Sequence, residues 1–184
     1  HKIKYIILHH QDPDLCASVP LFEKELKKEF KIFIPARSSV FCRFYGIKSE
    51  TVSVNKDYVR LRMSSGRELQ FFMTPYVHAP GAMITYDAKN KLVFTSDIFG
   101  AFEPDWNLYV KEKDKHLKLV KAFMEPYMGC KPALMNVAKK LQQLDIELIC
   151  PQHGSIIDSD IKWWIKQLTK MRTGLALREE VKWW

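Results

Sequence analysis

His10, Asp12 and Asp14 stand two residues apart, directly after the apolar run Ile6-Ile7-Leu8. Imidazole nitrogens and carboxylate oxygens bind metal ions, so three of them meeting at one point make a metal site. In extended backbone alternate side chains share a face. The spacing therefore predicts that all three converge just beyond the end of a buried strand, with Pro13 stopping the ladder. More donors follow further along. His78 lies in Thr74-Pro-Tyr-Val-His-Ala-Pro-Gly81 and His153 in Ile149-Cys-Pro-Gln-His-Gly154, each after a strand-like apolar run. Asp97 follows Leu92-Val-Phe-Thr-Ser96 in the same manner. Donors thus sit at four separate strand ends.

Three carboxylates and three imidazoles, with no thiolate among them, suit iron or manganese, whereas structural zinc prefers cysteine. Six donors are too many for one catalytic zinc with an open position. They suit two metals sharing a carboxylate, and Asp97, the single donor at its strand end, is the natural bridge. With a bridging oxide or hydroxide added, three carboxylates bring two ferric ions close to neutrality. Open coordination positions facing each other would accept a diatomic ligand.

Strands and helices of the right order must place these donors. Ser18 and Pro20 predict a helix start, with Leu21, Phe22, Leu26 and Phe30 as its apolar face to about Phe30. Lys31–Pro35 reads as a short strand, and Ser38 to Tyr45 as a short helix ending at Gly46. Val52–Val54, Tyr58–Met63 and Glu68–Met73 read as strands, the last two joined through Ser64-Ser65-Gly66. A further hairpin, Ala82–Tyr86 with Lys91–Thr95, delivers Asp97. The pattern then turns helical. Leu117, Val120, Phe123 and Met124 mark one helix stopping before Pro126, and Pro132 opens another with Leu134, Val137, Ala138, Leu141 and Leu144. Ile146–Cys150 is the strand that carries His153. Past Ser159, Ile161, Trp164, Ile165, Leu168 and Met171 form one apolar face, interrupted at Gly174. This mixture predicts a layered α/β domain.

The chain of 184 residues is read as a single domain over 1–184. No apolar run approaches the roughly 20 residues needed to span a bilayer, and no signal peptide is visible. The start without methionine reads as a piece of something longer. A net charge of +8 admits an anionic partner, but the lysines are scattered over helix surfaces, so no nucleic-acid partner is expected. Cys16, Cys42, Cys130 and Cys150 lack metal-motif spacing, and reduced thiols in a cytoplasmic protein are the simplest account. His9 points to the opposite strand face from His10, toward the core. His116, in Lys113-Asp-Lys-His-Leu-Lys118, reads as a solvated helix residue. Tyr86 and Phe99 flank the donor loops, as core residues or as walls of a dry gas pocket. Trp163, Trp164, Trp183 and Trp184 are read as packing against a missing part or another copy, which makes a homodimer possible.

The segments His10-Gln-Asp-Pro-Asp14, Ala17-Ser-Val-Pro20, Val77-His-Ala-Pro-Gly-Ala-Met83, Thr95-Ser-Asp-Ile-Phe-Gly100 and Ile149-Cys-Pro-Gln-His-Gly154 resemble, in order, the diiron domain of flavodiiron proteins. The resemblance implies the metallo-β-lactamase-like αβ/βα sandwich. It implies one iron bound by His10, Asp12 and His78, another by Asp14 and His153, and Asp97 between them. The family usually has glutamate at Asp12 and a histidine at Leu15. The fold's opening strands normally precede the first motif, and this chain begins almost on it. No flavodoxin domain and no flavin-binding loop follow the last motif.

Three functions follow as expectations. One is a non-haem diiron protein binding oxygen or nitric oxide as a sensor or carrier, similar to the flavin-less oxygen-binding diiron proteins of bacterial signalling, with an output domain as partner. Another is an oxygen or nitric oxide reductase fed by a separate flavoprotein or other redox partner. The last is a zinc hydrolase of the wider metallo-β-lactamase group, whose usual His-x-His-x-Asp-His motif this chain lacks at Asp12 and Leu15.

Overall fold

Alternation along one buried strand sets the layering. In β2 (Lys31–Pro35) every residue after Lys31 is buried, and successive side chains face opposite ways. Ile32 and Ile34 pack with Leu8, Cys16, Val19, Phe30 and Cys42. Phe33 packs with Val54 of its own sheet and with Leu61, Leu69, Phe71 and Met83 from the facing sheet. One face of the strand thus meets helices and the other meets a second sheet. The protein, a computed structural model, is described for residues 3–174.

The first sheet has the order β1-β2-β3, with β1 (Tyr5–Ile7) and β3 (Glu50–Val54) both parallel to β2. Parallel neighbours need crossover connections. α1 (Pro13–Cys16) and α2 (Val19–Leu26) supply the first. α3 (Ala36–Ser39) and a 3-10 turn (Cys42–Tyr45) supply the second.

The second sheet is an antiparallel run of β4 (Val59–Arg62), β5 (Glu68–Met73), β6 (Met83–Asp87) and β7 (Leu92–Ser96), closed by β8 (Leu148–Pro151) parallel to β7. α4 (Lys113–Tyr127) and α5 (Lys131–Gln142) make that last crossover, and α6 (Ile161–Leu168) follows β8. Ile84, Val93 and Ile149 of the sheet pack against Val120, Phe123 and Met124 of α4, Leu134, Val137 and Leu141 of α5, and Trp164 and Leu168 of α6. Helices therefore cover both outer faces of two facing sheets. This is the αβ/βα sandwich expected from the motifs.

Several boundaries differ from the sequence reading. α2 ends at Leu26, because Lys27 adopts a left-handed conformation (φ 50°) and its N–H bonds the carbonyls of Glu23 and Lys24. Phe30 then serves the core from the approach to β2. α4 continues through Pro126 to Tyr127, since a proline in the last turn forfeits one N–H bond while Met128 N–H still reaches Met124 O at 2.9 Å. The single helix expected over Ser38–Tyr45 is split into α3 and the 3-10 turn. Trp164 is a core residue against Phe99 and His116, while Trp183 and Trp184 lie outside the described residues. No helix among the described residues is long and apolar enough to cross a membrane.

Candidate metal centre

β1 runs out toward the second sheet. Leu8 N–H still bonds Phe33 O at 2.9 Å, and His9 O accepts from Met83 N–H at 3.0 Å, which stitches the strand end onto β6. His10, 1% exposed, comes next. Its Nδ1 lies 2.9 Å from Ser96 Oγ. With Nδ1–H donated to that hydroxyl, the Nε2 lone pair is left for an ion. His10 Nε2 is 3.5 Å from Asp12 Oδ2 and 3.4 Å from Asp97 Oδ2. His78 Nε2 is 3.4 Å from Asp12 Oδ2 and 2.7 Å from Asp97 Oδ2. Ligand atoms of His10, Asp12 and His78 all lie within 4.8 Å of one another.

Asp14 goes elsewhere, which corrects the expected convergence of three neighbours on one point. Asp12 is extended (φ −71°, ψ 156°), but Pro13 opens the helical turn α1 instead of merely ending a ladder. A helical turn swings successive side chains through about 100°. Asp14 accordingly faces His153, with Oδ2 3.2 Å from Nε2. Asp97 Oδ1 lies 3.7 Å from the same nitrogen, and Asp14, Asp97 and His153 form a second group of ligand atoms within 4.8 Å. The six donors therefore make two clusters of three, with the Asp97 carboxylate giving one oxygen to each side.

Asp97 is aimed by a tight loop after β7, where Ser96 and Phe99 take positive φ (55° and 66°) and Gly100 N–H bonds Asp97 O at 2.9 Å. A Cβ on Gly100 would meet Phe123 at 2.6 Å and Asp97 O at 2.9 Å, so only glycine lets α4 approach the loop this closely. Gln152 N–H bonds Ser96 O at 2.7 Å, and Ala101 N–H bonds His153 O at 3.2 Å. The Asp97 and His153 loops are thereby clamped side by side.

Two atoms at the middle of this arrangement, His10 Nε2 and Asp97 Oδ1, are buried without a hydrogen-bond partner. Orphaned buried polar atoms are costly and rare. A cation between them supplies the missing partner, and an all-nitrogen-and-oxygen set fits iron. The charges already lean that way. Burial works to raise the Asp97 carboxyl, but the His78 hydrogen bond and the His10, His78 and His153 imidazoles outweigh it and hold the group below its ordinary value. Burial opposes protonation of His78, yet the Asp97 hydrogen bond and charge, with Asp12 and Asp14, push it up. Burial dominates at His10 and lowers it. Burial, aided by His10, lowers His9 to about 4. Neutral His9 is turned away, 2.8 Å from Thr85 Oγ1, as its strand face requires. Cys16 is buried beside His10 O, and its thiol is pushed up to about 12 mainly by burial, so it is no ligand.

Other residues around the site escaped the sequence reading. Tyr86 and Phe99 belong to the core, with Tyr86 OH bonding Asp145 O. The walls are instead Tyr127, edge-on to His78 at 5.6 Å, and Phe123 and Phe102, at 5.5 and 6.0 Å from His153. The i,i+4 spacing of Phe123 and Tyr127 on one helix is a signal in the sequence for two of the three, and it went unread. Leu15, where the resemblance leads one to expect a ligand, packs against the outer core. His116 is not solvated: it is 3% exposed, with Nδ1 2.7 Å from Glu103 Oε1. Glu103 Oε2 also takes Ser155 Oγ at 2.5 Å, so a buried polar strut joins α4 to the loop after His153. A groove of about 840 Å³, lined by Phe94, Phe102, Trp106, Leu108 and Cys150, opens against His153.

Comparison with known proteins bears on the family and the fold. The solved structure of the chemotaxis sensor ODP, described as a peroxy diiron species, is 25% identical with a TM-score of 0.85, over 97% of this chain and 75% of that one. A variant of the flavo di-iron protein from Thermotoga maritima is 25% identical with a TM-score of 0.82, over 91% of this chain and 42% of that one. The flavo-diiron protein FprA2 of Clostridium acetobutylicum is 26% identical over 161 residues, 84% of this chain and 40% of that protein. The chain thus spans less than half the length of such curated relatives as it matches here. A family model described as ODP family beta lactamase matches residues 1–154. That stretch runs from ahead of β1 through His153 and takes in all six donors, and the chain belongs to the ODP family of beta-lactamase domains.

Proposed function

We propose that this domain is a non-haem diiron protein that binds oxygen, or nitric oxide, and serves as a sensor or carrier in signalling. In this reading His10, Asp12 and His78 would hold one iron, Asp14 and His153 the other, and Asp97 would be shared between them. The observation that carries this reading is the meeting of two three-donor clusters at one buried carboxylate whose Oδ1, with His10 Nε2, has no other partner. Its likeness to a chemotaxis sensor described as a diiron species supports the sensor role.

Two irons, when bound, supply electrons and open coordination positions for a diatomic gas. The chain's own residues do the rest. Asp97 would offer one carboxylate oxygen to each centre, Oδ2 on the side of His10 and His78 and Oδ1 on the side of His153. Ser96 fixes the His10 ring so that Nε2 faces inward. Phe123, with the part-exposed Tyr127 and Phe102, lines the face between His78 and His153. An output domain would read the change of state at the irons.

A second reading, reduction of oxygen or nitric oxide with electrons from a separate flavoprotein, draws support from the aromatic groove beside His153, which offers a docking place next to the site. Oxygen consumption by the iron-loaded protein, with and without an added flavoprotein donor, separates the two. A sensor gives a stable near-ultraviolet absorption in air with no sustained consumption; continuous consumption makes it an enzyme. A hydrolase of the wider fold would instead carry zinc, and metal analysis of the purified protein tests for it.

A further inference from the structure

The two halves of the site are supported unequally. Beside Asp12, Gln11 Nε2 donates to Oδ1 at 3.0 Å, which leaves Oδ2 as the oxygen facing His10 and His78. Gln11 is itself held at both ends. Ser38 Oγ donates to its Oε1 at 2.8 Å, and Tyr45 OH donates to its main-chain carbonyl at 2.8 Å. Ser38 is fully buried, and its Oγ also lies 2.7 Å from Gly81 O, in the loop that carries His78. A Cβ on Gly81 would come within 2.8 Å of both Ser38 Oγ and Arg37 Cβ, so that loop sits directly on α3. Ser38, whose one hydroxyl hydrogen can go to Gln11 Oε1 or to Gly81 O, therefore sits between the Gln11–Asp12 pair and the loop of His78 and ties to one of them at a time.

The other half has no such brace. Among the described residues no hydrogen bond fixes the Asp14 carboxylate, which meets only His153, and the two side chains are 38% and 30% exposed. No hydrogen bond among the described residues orients the His153 ring from behind, as Ser96 orients His10. A carboxylate free at both oxygens can bind through one or both, or swing out to water. One pinned at Oδ1 presents Oδ2 in a single place, at the reduced reach of an aspartate arm. Groups that orient metal ligands in this way are worth about ten- to a hundredfold in metal affinity.

We infer that Gln11, held by Ser38, is the positioning residue for Asp12, and that it makes the His10–Asp12–His78 half the tighter one, filled before the Asp14–His153 half. This rests on the diiron reading above. It adds an order of loading and names the residue that sets it. Nothing in the ligand set alone requires such an order, because Asp97 is shared by both halves.

The test is an anaerobic titration of metal-free protein with ferrous iron against a competing chelator, for the wild type and for Gln11→Met. Methionine matches glutamine in length and removes both side-chain hydrogen bonds. Thermal unfolding of the metal-free proteins checks that the variant folds. The wild type should bind two equivalents in two phases, and Gln11→Met should weaken the first phase about ten- to a hundredfold while leaving the second in place. Ser38→Ala, which frees Gln11 without touching it, should move the first phase in the same direction by less. A wild type that binds two irons with a Gln11→Met isotherm unchanged, or with both phases weakened alike, overturns this inference and leaves the diiron reading standing. A wild type that binds no iron overturns both.

Discussion

Ser96→Ala isolates one hydrogen bond at the centre of the site. Ser96 is 3% exposed and His10 1%, so water cannot replace the lost hydroxyl. Alanine keeps the Cβ, and the positive φ at this position (55°) is as awkward for serine as for alanine, so the backbone cost is the same on both sides. What remains is a His10 Nδ1 buried without its 2.9 Å partner. Leaving one buried group unsatisfied costs about 1–3 kcal/mol. For a domain of this size that is a fall in Tm of about 2–4 °C per kcal/mol in the metal-free protein. The metal should respond as well. With nothing fixing the ring, the tautomer that carries hydrogen on Nε2 becomes available and competes with the ion, so iron affinity should fall about ten- to a hundredfold, or roughly 1.4–2.8 kcal/mol. Differential scanning of the metal-free protein gives the first quantity, and a chelator competition gives the second. A variant with unchanged Tm and unchanged iron affinity would refute the assignment of Ser96 as the group that orients His10.

Asp97→Ala should lose both metals while circular dichroism still reports a folded protein, because each cluster draws one oxygen from that carboxylate; retention of a full complement of iron would contradict the bridge. His116→Ala leaves the Glu103 carboxylate buried with Ser155 alone and should lower the Tm of the metal-free protein, at a cost of about 1–3 kcal/mol; a Tm within error of wild type would restore the view of His116 as a surface residue. pH should act through His78 and Asp97. The raised His78 contributes stability that is fully present below its ordinary value and lost as pH rises through its folded one. The depressed Asp97 contributes stability that is present above its ordinary value and lost as pH falls through its folded one. The metal-free protein should therefore gain most from this pair between the two ordinary values, about 4 and 6.5, and lose it in either direction. Iron uptake should instead strengthen as pH rises through the His78 value, because the ion displaces that proton. Urea unfolding and iron titration across pH check the two trends, and parallel curves would contradict the linkage.

The donors were legible because each follows an apolar run that a buried strand requires, and a histidine or aspartate at such an edge has few purely structural uses. The apolar run Ile32-Phe33-Ile34 likewise foretold a short strand, and the structure buries it on both faces. Pro13 misled, since a proline that ends a ladder is equally the first residue of a helical turn, and the turn is what divides Asp14 from Asp12. His116 was read from its lysine neighbours. Its spacing from Val120, Phe123 and Met124 at i+4, i+7 and i+8 places it on the buried face of α4, a signal present in the sequence and outweighed by local charge. Contacts such as Ser96 with His10 or Ser38 with Gln11 join residues far apart in the chain, and no periodicity announces them. Gly100 tells the same story: its need for a missing Cβ comes from Phe123 on a distant helix.

Anomalous diffraction from crystals of anaerobically purified protein, recorded on both sides of the iron edge, tests the central claim most directly. The account predicts two iron peaks, one among His10, Asp12 and His78, the other between Asp14 and His153, with Asp97 reaching both. A single peak, a signal only at the zinc edge, or density that leaves Asp97 out of contact with either ion would contradict it.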